Sequence, residues 1–128
     1  MSDVKEKKED EVLDVLAGVV DNESKTYTFE KEVSIGCEKK KGSFTAKYFG
    51  VAGRLRLGTL RAKLLEGAPQ DSIDEVTNDI AYMMAYLKIA LIKTPSWWNM
   101  EELDDISDLT AVYLEVFKFI QFFREKDE

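Results

Sequence analysis

"KTYTFEKEVSIGCEKKKGSFTAKYF", residues 25–49, alternates between apolar and polar side chains every second residue. Tyr27, Phe29, Val33 and Ile35 hold odd positions, and Thr26, Thr28 and Glu30 hold even ones. A period of two belongs to an extended chain whose side chains point alternately to two faces, so the first run reads as a half-buried strand. Lys31 interrupts its apolar face. Phe44, Ala46 and Tyr48 repeat the pattern, and "GCEKKKG" between the runs supplies glycines and solvated charge. The expectation is an antiparallel hairpin with Lys39, Lys40 and Lys41 in its loop. A lone hairpin is marginal in water, so this one must lean on helices or on another subunit.

On the N-terminal side, residues 1–11 read as a flexible polar arm, and "MSDVKEKKED" has none of the apolar character of a secretory signal. "VLDVLAGVV" at 12–20 fits a short helix or an extended apolar segment, and "DNES" at 21–24 is a turn signal. On the C-terminal side the period becomes helical. "VAGRLRLGTLRAKLLEG" spaces leucines among Arg54, Arg56, Arg61 and Lys63, with Gly67 as a stop. Gly53 and Gly58 are unfavourable inside a helix, which points either to something approaching the backbone closely there or to a helix break. "SIDEVTNDIAYMMAYLKIALIKTP" opens with Ser72 and Glu75 as a capping box and closes at Pro95. Tyr82, Tyr86 and Ile89 add a second apolar stripe to it, which marks a helix that is central or shares a face with a partner. A last helix from about residue 107 carries Leu109, Val112, Tyr113, Val116, Phe117, Ile120 and Phe123 on one face, and Phe119 and Phe122 lie outside that stripe.

Together these segments predict one α+β domain over residues 12–128. It is predominantly helical, with an N-terminal antiparallel β-hairpin (25–49) packed on three to four helices (51–66, 72–93 and 107–124 among them).

Composition removes several chemistries. The chain has no histidine and one cysteine, Cys37, which excludes Ser-His-Asp and Cys-His catalysis and every histidine- or multi-cysteine metal site. A single cysteine forms no internal disulfide and suits a reducing cytoplasm. A net charge of −7 argues against general nucleic-acid binding. No apolar run approaches the ~20 residues that span a bilayer. The carboxylates Glu101, Glu102, Asp104, Asp105 and Asp108 lack the spacing of a calcium loop, and they read as favourable charge at a helix start. The expectation is a non-enzymatic protein without cofactor or metal.

The candidate partner-binding residues are therefore surface aromatics and arginines. Trp97 and Trp98, the only tryptophans, sit in the connector "TPSWWNMEELDD" (94–105), where each can bury up to ~200 Å². They read as a core plug with one ring free for a partner. Tyr82, Tyr86, Phe119 and Phe122 are expected on partner or self-association surfaces, with Arg54 and Arg61 on the polar rim. Packing of the hairpin over Phe119 and Phe122 would explain those two equally well.

The order of "GSFTAKYF", "GRLRLGTLRAKLLEG", "DSIDEVTNDIAYMMAYLKIALI", "TPSWWN" and "LTAVYLEVFKFIQFFRE" resembles small tail-morphogenesis proteins of long-tailed, siphovirus-like bacteriophages and prophages, above all their tail assembly chaperones. The likeness covers about residues 43 to 124, and the proline-Trp-Trp-Asn connector is its most specific element. It implies a protein of the host bacterial cytoplasm that chaperones the tape measure protein and the tail tube protein during assembly. The alternative is a permanent structural component of the virion, in the tail or at the head-to-tail junction. The resemblance implies no catalytic motif, and the N-terminal hairpin departs from its mostly helical pattern.

Overall fold

The computed structural model describes residues 18–66 and 73–127. In chain order its elements are β1 (Val19–Asp21), β2 (Thr26–Ile35), β3 (Glu38–Lys47), α1 (Val51–Leu64), α2 (Glu75–Ala90), β4 (Leu91–Lys93), a single 3-10 turn (Met100–Glu102) and α3 (Ile106–Asp127). The expected arm at 1–11, the segment 12–17, the Gly67 stop and the Ser72 cap lie outside the described residues.

The predominantly helical domain with a hairpin on three to four helices is corrected. The fold is mixed α+β, with a four-stranded antiparallel sheet in the order β1-β2-β3-β4 and three helices among the described residues. The two outer strands are each three residues long, too short to carry a period-two signature. β4 was hidden inside the apolar run expected to be helical through residue 93. The backbone leaves the helix at Leu91, which is extended, and Leu91 and Lys93 pair with Ala46 and Thr45.

The loop between β2 and β3 is also shorter than expected. Ile35 pairs with Glu38, leaving Gly36 and Cys37 as the whole connection, with φ of +59° and +66°. Positive φ at both central residues gives a turn whose twist matches that of the flanking strands. Lys39, Lys40 and Lys41 are therefore strand residues, with Lys41 opposite Glu32 and 3.6 Å from Glu30 on the solvent face. The turn is held from across the chain. The Asp104 carboxylate accepts hydrogen bonds from the Cys37 N–H (2.7 Å) and the Ser34 hydroxyl (2.8 Å), and Asp108 accepts from the Ser34 N–H (2.9 Å).

The inner sheet face carries Tyr27, Phe29, Val33, Ile35, Phe44 and Ala46, all buried. α3 lies on β2 and contributes Val112, Val116, Phe119, Ile120 and Phe123. Each such side chain stabilises the fold by ~1.5–3 kcal/mol on full burial. α2 packs beside α3, and α1 packs chiefly on α2, so α1 is the outermost helix. α2 begins at an Asp74 cap, whose side chain accepts from the Thr77 N–H at 2.6 Å. α3 begins similarly, with Asp105 accepting from the Ser107 N–H at 2.9 Å.

The Trp connector closes the far end of this core against Gly42. A Cβ there would overlap Pro95 and stand 2.8 Å from the Trp97 ring. Gly42→Ala should therefore destabilise the protein by about 1–3 kcal/mol through overpacking. Urea unfolding followed by tryptophan fluorescence measures this, and an unchanged midpoint would mean the connector is not seated on β3.

Hydrogen bonds from Cys37 N–H and then Ser34 hold the Asp104 carboxyl below its ordinary value. The stability this supplies is present above the unfolded aspartate value of about 3.9 and is lost as pH falls through the lower folded value. Asp104→Asn should thus be less stable than wild type at pH 7, and the two should converge in thermal melts as pH drops below about 4.

Candidate partner-binding surface

Several residues expected at a surface belong to the core. Phe119 is fully buried, with its ring 5.2 Å from Tyr27 and 5.7 Å from Phe123. Tyr86 is buried too, and its ring neighbours are Phe49, Tyr82, Tyr113 and Phe117. These two are not offered to a partner by this fold. Burial, then the neighbouring Tyr113 and Tyr82 hydroxyls, pushes the Tyr86 phenol well above its ordinary value, and burial pushes Tyr113 up to about 12. Tyr86 and Tyr113 therefore stay neutral and act as packing groups with a polar end.

Trp97 and Trp98 do not divide their roles in the expected way. Both rings meet Phe44 edge-on, at 6.3 Å and 4.9 Å, and both are half-buried against the core. The connector makes a turn here, with the Trp98 N–H bonded to the Pro95 carbonyl, so neighbouring side chains need not point apart as they do in a strand. Trp98 also borders an open groove with Met84, Leu87, Leu91 and Met100. Tyr82 and Phe122 are half-buried at the edge of the core.

Arg54 and Arg61 both lie on α1. Arg54 is exposed and lines a groove with Phe49, Val51 and Arg124. Arg61 is half-buried, and its Nε is enclosed with no hydrogen-bond acceptor among the described residues. The expected arginine rim thus falls on one helix, whereas the expected aromatics lie largely inside.

The residues that sequence reading passed over are the exposed apolar ones on that helix. Val51 is 88% and Leu55 76% exposed. Of the leucines of this segment only Leu57 is buried, and the apolar side chains are shared between two faces. α1 contains four cations and no carboxylate in a chain of net charge −7. Among the described residues none of Arg54, Arg56, Lys63 and the adjacent Lys88 has an ion-pair partner.

The acidic segment before α3 has structural work instead: Asp104 and Asp108 hold the β2–β3 turn, and Asp105 caps α3. Among the described residues no group of three His, Cys, Asp or Glu side chains is placed to hold a metal ion. Glu115, missed in the sequence, is 8% exposed and accepts from the Tyr27 hydroxyl at 3.3 Å, with the Lys31 ammonium 3.9 Å away. Its signal was the lysine interrupting an apolar strand face. Glu115 borders none of the described grooves, so its geometry is that of a structural carboxylate. No helix among the described residues is long and apolar enough to cross a membrane.

No protein-family model, curated protein or solved structure matches the chain.

Removing the buried acceptor should be felt more than removing the part-exposed lysine. Glu115→Ala is expected to destabilise by about 1–3 kcal/mol, and Glu115→Gln by less because it can still accept from Tyr27. Lys31→Met should change stability by less than about 1 kcal/mol, because a part-exposed pair is worth little. Chemical denaturation of the three variants checks the order.

Proposed function

We propose that the chain is a non-enzymatic protein-binding factor of bacteriophage tail assembly, a chaperone for the tape measure and tail tube proteins in the host cytoplasm. The observation that carries the binding part is the outer face of α1, where Val51 and Leu55 stand in solvent among cations that have no partner within the described fold. Isolated exposed apolar residues are ordinary, but two on one face of a helix flanked by unpaired charge fit an interaction surface. The tail-assembly part rests on the resemblance of residues 43–124 and on the Trp97–Trp98 connector. Phe119 and Tyr86 drop out of the partner surface; Arg54, Arg61, Tyr82, Phe122 and the exposed edge of Trp98 remain in it.

The test is co-expression with a phage tape measure protein, followed by sizing with light scattering. Co-elution as a large complex is the expected outcome, together with absence of the chain from purified particles. A chain that stays apart from that protein and is found in particles would instead be a permanent virion component.

A further inference from the structure

α1 carries two glycines, and the fold accounts for only one of them. At Gly53 the Phe49 ring stands where a side chain would be, 2.6 Å from an added Cβ. At Gly58 an added Cβ would meet nothing within 4 Å. Glycine in a helix interior is unfavourable relative to alanine, so within this fold Gly58 is a local disadvantage with no packing return.

Its neighbours along the helix suggest what it accommodates. Val51, Leu55, Gly58 and Ala62 are all exposed and are spaced four, three and four residues apart. That spacing keeps them on one face and is the seam by which one helix packs along another. The buried Leu57 and the half-buried Leu60 and Leu64 occupy the opposite side, against α2. A small residue in the middle of such a seam lets a second backbone come close.

Charge selects the occupant. Arg54 and Arg61, seven residues apart, flank the seam on one side. On the other side Arg56, Lys63 and Lys88 rim a groove of about 340 Å³ that contains no carboxylate. A second copy of α1 would bring like charges together and is disfavoured. A helix with carboxylates flanking its own apolar seam would neutralise both rims.

We propose that the outer face of α1 docks an acidic amphipathic helix of a partner protein, crossing at Gly58. The inference rests on the protein-binding reading above and adds the site and the chemistry of the partner.

The probe is a fluorescein-labelled peptide of about 20 residues, long enough for a stable helix, with leucine and alanine on a heptad seam and glutamate at the flanking positions. Its twin carries lysine for glutamate. By fluorescence anisotropy the full chain should bind the glutamate peptide at least about tenfold tighter than the lysine twin, and added salt should weaken binding. Leu55→Glu should abolish binding. Gly58→Gln should weaken it about tenfold while leaving Tm unchanged or raised, because glutamine is the better helix former. A merely structural role for Gly58 would not separate those two readouts.

Equal binding of the two peptides, no binding of the glutamate peptide, or binding insensitive to both substitutions would overturn the proposal. Preference for phosphatidylglycerol vesicles or for duplex DNA over the glutamate peptide would also overturn it and reassign the face. If L55E and G58Q chains still co-elute with the co-expressed tape measure protein, this inference fails and the tail-assembly reading stands. If wild type does not co-elute, that reading itself fails.

Discussion

The Tyr27 side chain is the joint on which the described fold turns. Its hydroxyl accepts from the Gly18 N–H at 2.8 Å and donates to Glu115 at 3.3 Å, which ties the start of β1 and the middle of α3 to β2. Its ring stacks between Phe29 and Phe119 at 5.2 Å on each side. A buried hydroxyl must find partners, and here the partners lie 9 and 88 residues away. The need to satisfy one polar atom therefore sets how α3 crosses the sheet. Lys31, two residues along the same strand face, then has a carboxylate to meet instead of an apolar neighbour.

From that joint an aromatic series runs the length of the core, from Phe119 through Tyr27, Phe29 and Phe44 to Trp98. The tryptophans end it. Because the connector lies against Gly42, it is fixed in place by the absence of a side chain as much as by the rings themselves. The acidic residues that follow reach back to the β2–β3 turn through Asp104 and Asp108. One short stretch between α2 and α3 thus closes the core and locks the hairpin turn, which gives Trp97, Trp98, Asp104 and Asp108 a structural role.

With its sheet, α2 and α3 occupied by this packing, the molecule keeps its two most exposed large apolar side chains, Val51 and Leu55, on α1 beside four cations. The chain as a whole is acidic, while arginine and lysine are in local excess on α1. The docking face proposed on α1 rests on these charges and on Val51 and Leu55, and does not depend on the resemblance to tail-assembly proteins.

The sequence by itself determined the period of two within 25–49, the helical period within 51–66, 72–93 and 107–124, and the exclusion of histidine-dependent and multi-cysteine chemistry. Each follows from local spacing or from composition, which need no knowledge of neighbours. Only the tertiary structure decided the rest. β1 and β4 are three-residue strands that exist because a longer strand lies beside them. Residues 38–41 are strand, because the ladder extends to a two-residue turn at Gly36 and Cys37. Periodicity marks an apolar face but does not say what covers it: Phe119 and Tyr86, read as surface anchors, are enclosed by the sheet and α3, while Leu55 is left in solvent because α1 packs chiefly on α2.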